Sequence, residues 1–115
     1  MEFLFYPGSW SNRPGSKWIR IEGRLKQVDS GSFGHVWGVK RNKKVYCRAG
    51  ISWKKKQGTR WRQVRGQKLK YVSSGQFGPW AVNEHNKIFF RIGVSRQNPA
   101  GTNFILAISK YKMFL

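Results

Sequence analysis

A ten-residue stretch that occurs twice in the chain decides the fold. Residues 25–34 read LKQVDSGSFG, and residues 69–78 read LKYVSSGQFG. Each copy follows a Gly-(Ser/Thr)-basic-Trp group, which ends at Trp18 in one case and at Trp61, 43 residues later, in the other. After each copy comes a similar apolar stretch, VYCRAG at residues 45–50 and IFFRIG at residues 88–93. Landmarks that recur at 43 residues, or at 44 where one residue is inserted, indicate an internal repeat.

Each unit of the repeat contains four short stretches rich in β-branched and aromatic residues. Gly, Ser and Asn separate these stretches, and no window has a sustained helical period, so they predict β-strands. In the first unit they are residues 18–21, 25–28, 36–39 and 45–49. A four-stranded unit of about 43 residues has the size of a propeller blade. The sequence therefore predicts an all-β fold with two four-stranded antiparallel blades of an incomplete β-propeller.

The repeat divides the chain into four predicted segments. Residues 1–8 are expected to be the trailing strand of a preceding blade, because residues 3–8 are similar to residues 88–93. The first full unit is placed at residues 9–50 and the second at residues 51–93. Residues 94–115 are expected to be an inter-blade loop and the truncated start of a third unit. Two blades cannot close a ring, so either copies associate or the sequence is a piece of a longer propeller.

The charge of the chain is strongly positive and unevenly distributed. Lys and Arg number 23 against four Asp and Glu, which gives a formal net charge of +19. Residues 40–70 hold 13 of the basic residues and no acidic residue. Such a field favours an anionic partner, namely nucleic acid, sulfated glycan, lipopolysaccharide phosphate or acidic lipid. The alternative is a solvated, solubilising face.

Several classes of function find no support in the residues. The single Cys47 and the two histidines, His35 and His85, predict neither an internal disulfide nor a metal site. Glu22, Asp29 and Glu84 lie in separate parts of the repeat, so no carboxylate pair suggests glycoside hydrolysis. Neither a nucleophile elbow nor a phosphate-binding glycine loop is present. We expect a protein that is not an enzyme and that has no cofactor.

The sequence also bears on location. No apolar run is long enough for a transmembrane helix, and residues 1–8 lack the features of a signal peptide. On this chain alone a cytoplasmic location is expected, whereas a secreted one is expected if the chain is part of a longer lectin.

The repeated pattern resembles the tectonin β-propeller repeat. The resemblance rests on Gly-(Ser/Thr)-x-Trp, Leu-Lys-x-Val-x-x-Gly, Val-Trp-Gly-Val and Val-Tyr-x-Arg-x-Gly, and it covers about residues 3–104. Residues 98–102 look like the turn between blades in the same family. Its members include fish-egg lectins, a tachylectin that binds lipopolysaccharide, and autophagy-linked intracellular proteins. The resemblance implies sugar binding in innate defence or cell recognition.

The six tryptophans are expected to play two roles. Four lie at the start or in the middle of predicted strands and are expected to form the structural core: Trp18, Trp37, Trp61 and Trp80. Trp10 and Trp53 instead lie in loops beside polar residues. Such a loop aromatic can stack on the apolar face of a sugar ring. The alternative is a loop Trp folded over the edge of a sheet.

Basic residues complete the predicted ligand-binding set. Arg48 and Arg91 occupy equivalent places in the last predicted strand of each unit, and a guanidinium fork suits carboxylate, phosphate or paired hydroxyls. Their alternative role is a structural hydrogen bond to a loop carbonyl. Beside Trp53 stands a triplet that would attract anions at long range. The predicted ligand-binding residues are thus Trp10, Trp53, Arg48, Arg91, Lys54, Lys55 and Lys56.

Three functional hypotheses follow. The first is a lectin module that binds anionic or bacterial-type glycans such as lipopolysaccharide through repeated weak sites, which gain from multivalency. The second is an intracellular tethering or scaffold module that binds an anionic membrane or a protein partner. The third, nucleic-acid binding, lacks any specific motif, so only weak, salt-labile binding is expected. The expected partners are therefore glycans or another anionic polymer or lipid surface, together with further copies of the chain.

Overall fold

The computed structural model describes residues 2–5, 17–31 and 34–107, and these ranges contain ten β-strands and no α-helix. The strands are β1 Glu2–Phe5, β2 Ile19–Arg24, β3 Gln27–Ser30, β4 Val36–Val39, β5 Val45–Ala49, β6 Arg60–Val64, β7 Tyr71–Gly75, β8 Gly78–Val82, β9 Ile88–Ile92 and β10 Asn103–Leu106. The predicted all-β fold is confirmed.

The strands form two four-stranded antiparallel sheets and one strand pair. One sheet has the order β3-β4-β5-β6 and the other the order β7-β8-β9-β10, while β1 pairs with β2. Equivalent strands have equivalent registers, because Trp37 lies opposite Cys47 in the first sheet and Trp80 lies opposite Phe90 in the second. The two predicted four-stranded antiparallel blades are therefore present.

The blades are offset from the sequence units by one strand. The fourth strand of the first blade, β6, carries Trp61 and comes from the start of the second unit. In the same way β2, which was expected to open the first blade, pairs with β1 instead. The reason is a hairpin in which the Thr59 N–H donates to the Ala49 carbonyl at 2.8 Å and β6 then pairs with β5 along its whole length. Successive units are therefore tied together by strand pairing.

Glycine is required where each of these hairpins turns back. Gly58 before β6 has a φ of 72°, and Gly101 before β10 has a φ of 68°. A Cβ at Gly58 would lie 2.7 Å from the Ala49 carbonyl oxygen, and one at Gly101 would lie 2.6 Å from that of Ile92. Both the backbone conformation and the close approach therefore exclude a side chain.

The hydrophobic core lies between the two blades. It is formed by Trp37, Val39, Val45, Cys47, Val64, Leu69, Val72, Ala81, Phe89 and Ala100. Trp37 of the first blade is fully buried, and its ring packs edge-on against Phe104 of the second blade at 6.2 Å between ring centroids. A large aromatic in this position links the two sheets, since it removes 150–250 Å² of surface from water in a typical core.

Polar side chains of β3 join the two blades at β7. The Gln27 amide donates to the Val72 carbonyl at 2.6 Å and accepts from the Val72 N–H at 2.9 Å. Asp29 Oδ2 accepts from the Ser74 N–H at 2.7 Å. These bonds satisfy backbone groups of β7 that have no strand partner on that side among the described residues.

The structure corrects the expected core placement of Trp18 and Trp80. Trp18 precedes β2 and is 60% exposed, and Trp80 on β8 is 43% exposed. Trp80 has the register position of Trp37, but in the described ranges no further blade covers it as the second blade covers Trp37. Trp61 is half-buried, and its indole N–H donates to the Glu22 carbonyl at 2.8 Å.

Candidate functional site

The loop between β5 and β6, residues 50–59, carries three consecutive lysines, and we call it the lysine loop. Its turn is closed by hydrogen bonds, since the Lys55 N–H donates to Ser52 Oγ at 3.1 Å and the Gly58 N–H donates to the Lys55 carbonyl at 3.0 Å. At its tip Trp53 is 70% exposed. The Lys56 ammonium lies 5.1 Å from the centroid of the Trp53 ring, within the range of a cation–π contact.

Among the described residues no lysine of the lysine loop forms an ion pair, although the charge of Lys55 contributes to the lowered pKa of Glu22. Lys54 and Lys55 are exposed and Lys56 is half-buried. The ion pairs seen in the described ranges are made by two other cations, Lys43 and Arg48. The loop therefore combines an accessible aromatic side chain with three ammonium groups. This combination can stack on an apolar ring and attract an anionic substituent of the same ligand.

The second blade repeats the geometry of the lysine loop without its chemistry. In residues 93–102, between β9 and β10, the Asn98 N–H donates to Ser95 Oγ at 3.0 Å and the Gly101 N–H donates to the Asn98 carbonyl at 3.1 Å. Arg96 occupies the position of Trp53, and the three lysine positions are occupied by Gln97, Asn98 and Pro99. Trp10, the other predicted loop aromatic, lies outside the described residues. The described ranges therefore hold one aromatic–lysine loop.

Arg48 and Arg91 are buried and fasten these two loops to their sheets. Their exposures are 4% and 6%. Arg48 Nε donates to the Gln57 carbonyl at 2.9 Å, and Arg91 Nε donates to the Ala100 carbonyl at 2.8 Å. Each guanidinium also lies over the aromatic ring opposite it, Trp61 at 5.1 Å for Arg48 and Phe104 at 4.8 Å for Arg91. The structural hydrogen bond to a loop carbonyl is thus present at both positions.

The two arginines differ in what faces the rest of the guanidinium. Arg48 Nη1 donates to Glu22 Oε1 at 3.0 Å, and this hydrogen bond from Arg48 holds the pKa of Glu22 below its ordinary value. At the position of Glu22 the second unit has Arg65. In the described part of the chain, the one hydrogen bond of the Arg91 guanidinium is that to the Ala100 carbonyl. Burial, together with the charge of Arg62, lowers the pKa of Arg91.

Arg91 lines a crevice between the blades, which we call the arginine crevice. Its volume is about 430 Å³, and it is lined by Arg62, Gln63, Val64, Arg65, Arg91, Ala100, Gly101 and Thr102. A second crevice of about 550 Å³ lies at the ends of β2 and β4 and is also rich in cations. It is lined by Arg24, Leu25, Lys26, Lys40, Arg41 and Asn42.

The predicted site residues therefore do not form one site. Trp53 and the three lysines share a loop, and Arg48 lies beneath that loop with Glu22. Arg91 belongs to the arginine crevice, together with Arg62 and Arg65, which sequence reasoning did not single out. The signal that could have found Arg65 is its alignment with Glu22, since a change from acid to base at a repeated position alters the charge of a junction.

Other kinds of site find no support in the described residues. They contain no cluster of three or more His, Cys, Asp or Glu side chains placed to hold a metal ion. None of their secondary structure is a helix of the length and apolarity that a membrane crossing needs.

Comparison with known proteins gives one result at the level of the family. No curated protein sequence gives a significant match to the chain. The family model of the tectonin domain, however, matches residues 8–113, which is nearly the whole chain. This is a family of non-enzymatic, lectin-type propellers, and it agrees with the two antiparallel blades and their repeated hairpins. The chain belongs to the tectonin family and is a lectin-like β-propeller module.

Proposed function

We propose that the chain is a carbohydrate-binding lectin module that recognises glycans with anionic groups, such as lipopolysaccharide, in innate defence or cell recognition. Membership of the tectonin family supports the lectin part of this proposal. Trp53, exposed at the tip of the lysine loop, supports the sugar part, because the family match alone names no ligand.

In the lysine loop, different side chains provide stacking and charge. The Trp53 ring provides a flat apolar surface on which the face of a pyranose can stack. Lys54 and Lys55 project into solvent beside it, so they can approach a phosphate or carboxylate on the same glycan. Exposed ammonium groups contribute more to the association rate than to the affinity itself. We therefore assign recognition to Trp53 and attraction to the lysines.

Avidity for a glycan surface requires more than one such loop. The equivalent loop of the second blade has Arg96 in place of the aromatic residue, so it does not duplicate the Trp53 site. Trp10 in the first unit, or further copies of the chain, would supply additional weak sites. Linking weak sites raises avidity by a factor on the order of 100 to 10,000 when the geometry permits simultaneous binding.

The test is a titration with lipopolysaccharide oligosaccharide by isothermal calorimetry, with a neutral oligosaccharide as reference. The variant Trp53→Ala should weaken binding on the order of tenfold through loss of stacking. Phe77→Ala is the matched control, because Phe77 is equally accessible, 76% exposed, but lies in the turn between β7 and β8. Equal affinities of the two variants, or no binding above the neutral reference, would refute the lectin proposal.

A tethering module that binds anionic membrane is the second candidate. It is favoured by the combination of Trp53 with three lysines at a loop tip, because Trp prefers the membrane interface and each nearby Lys adds about 1 kcal/mol at an anionic surface. Co-sedimentation with phosphatidylserine and phosphatidylcholine vesicles separates the candidates. Strong binding to the anionic vesicles alone, with no glycan binding, would favour tethering.

A further inference from the structure

Arg48 shows how a buried guanidinium is satisfied in the hairpin of the first blade. Its Nε bonds the loop, its face lies over Trp61, and its Nη1 bonds the carboxylate of Glu22. Glu22 comes from β2, which lies against β6, since the Trp61 indole also donates to the Glu22 carbonyl. A carboxylate from the preceding strand thus compensates a charge that is 96% withdrawn from solvent.

Arg91 has the same arrangement as Arg48, except that within the described ranges no carboxylate bonds its guanidinium. It has the same bond to the loop and the same stacking on an aromatic ring. The preceding strand is now β6, and Arg65, just after it, stands where Glu22 stands in the first junction. Each of these two residues precedes a glycine with positive φ, 104° at Gly23 and 120° at Gly66, which supports their equivalence. The second junction therefore carries a cation where the first carries an acid.

The consequence is an open, positively charged crevice around a buried arginine. Arg62 and Arg65 line the arginine crevice with Arg91, and no acidic residue of the described ranges lines it. An uncompensated buried charge is costly, whereas a carboxylate held by a guanidinium fork restores the hydrogen bonds that are missing. The volume of about 430 Å³ lies within the range of small-molecule sites, so there is room for more than a bare carboxylate.

We propose that the arginine crevice binds a carboxylate-bearing small molecule, such as a sugar acid, whose carboxylate takes at Arg91 the place that Glu22 takes at Arg48. Arg91 receives the carboxylate through its Nη groups, and Arg62 and Arg65 balance its charge. Gln63 and Thr102, which also line the crevice, offer hydrogen bonds to hydroxyls beside the carboxylate.

The experiment is a titration followed by nuclear magnetic resonance of the arginine Nε–Hε groups. The probes are sodium acetate, sodium glucuronate, sodium sulfate and glucose, each at the same ionic strength as a sodium chloride reference. Acetate and glucuronate should shift the Arg91 signal saturably, with glucuronate binding more tightly, while glucose and chloride should not. A stronger effect of sulfate would assign the crevice to sulfate or phosphate groups and overturn the carboxylate assignment. The titration with acetate needs no sugar, so its outcome is independent of the lectin proposal.

Two variants test the internal analogy with Glu22. Arg65→Glu supplies a carboxylate from within and should lower the affinity for glucuronate by about tenfold or more. Lys87→Glu in the turn between β8 and β9 makes the same change of charge away from the crevice and should lower it less than about twofold. Conversely, Glu22→Arg should create a new saturable shift at Arg48. Melting curves establish that each variant is folded, and Arg65→Gln replaces Arg65→Glu if the latter is not. Equal effects of Arg65→Glu and Lys87→Glu, or no shift at Arg91 with either carboxylate, would overturn the proposal.

Discussion

Cys47 is protected by the core between the blades. It is 2% exposed, and burial raises the pKa of its thiol to about 11. Because the thiolate is the reactive form, we expect the folded chain at pH 8 to react with a disulfide reagent at least about 100-fold more slowly than the chain in denaturant. The measurement is the time course of thiol labelling with and without guanidinium. Similar rates in the two conditions would contradict the burial of this thiol.

The ion pair of Glu22 with Arg48 makes stability dependent on acid. The folded pKa of Glu22 is depressed, so its contribution is present above the unfolded value of about 4.3 and is lost as pH falls through the folded pKa. Glu22→Gln should therefore lower the free energy of unfolding by about 1 kcal/mol at pH 7. The figure is modest because Glu22 is 65% exposed. The cost should vanish at low pH, where the wild-type carboxyl is also neutral. Urea unfolding at pH 7 and in acid measures both effects.

Glu84→Gln is the control for this prediction. Glu84 pairs with Lys43, and both side chains are substantially exposed, whereas the Arg48 side chain is only 3% exposed. The loss of stability at pH 7 should therefore be smaller than for Glu22→Gln. A larger loss for Glu84→Gln would mean that the burial of Arg48 does not decide the strength of the pair.

The contact between β3 and β7 depends on the Gln27 amide. Gln27→Ala removes the partners of both the N–H and the carbonyl of Val72, so we expect a loss of about 1–3 kcal/mol in the free energy of unfolding. Tyr71→Ala is the matched control, because Tyr71 has the equivalent position on β7 and is 52% exposed. Its loss should stay below about 0.5 kcal/mol, the usual limit for surface substitutions. Denaturant unfolding of the two variants measures both losses in the free energy of unfolding. Equal losses would refute a special role for Gln27.

The strands themselves were predictable because each is a short apolar stretch between turn residues. The strands at residues 36–39 and 45–49 coincide with the predicted stretches. The offset of the blades was not predictable in the same way, because β6 joins β5 through a hairpin whose loop reads as a linker between units. Its closing bond joins the Thr59 N–H to the Ala49 carbonyl, which also accepts from Thr59 Oγ1 at 3.3 Å, so the signal that could have found this hairpin is the Gly-Thr pair repeated at residues 58–59 and 101–102.

The candidate sites were predictable only as far as they are local. Trp53 and its three lysines are neighbours in the chain, so their association followed from the sequence. The different surroundings of Arg48 and Arg91 depend on β2 and β6 lying against the next hairpin, which is a tertiary contact. Trp37 and Trp80 show the same limit, because equal registers give one buried and one exposed ring.

The outer face of the second blade is equivalent to the face that the first blade packs against the second. Within the described ranges no further blade covers it. Its exposed apolar side chains include Trp80 at 43% and Tyr71 at 52%, and Trp80 tilts against Phe90 at 5.0 Å between ring centroids. The corresponding ring on the first blade, Trp37, is fully covered by the second. Apolar patches of this kind on a small protein favour association. The occupant that we infer for this face is the N-terminal end of another copy, where β2 and the first blade lie.

The net charge of the chain opposes that association, and added salt should weaken the repulsion. A formal charge of +19 makes copies repel one another, but the Debye length falls from about 10 Å at 0.1 M to about 3 Å at 1 M salt. We therefore predict a monomeric or poorly folded chain at low salt and head-to-tail association as salt rises, which could close a ring of about three chains. Sedimentation velocity across a salt series measures the change. Trp80→Gln should suppress the association, whereas Trp53→Gln, which removes a more exposed ring from the lysine loop, should not. A compact monomer at every salt concentration would show that two blades suffice, and equal behaviour of the two variants would show that the contact lies elsewhere than on Trp80.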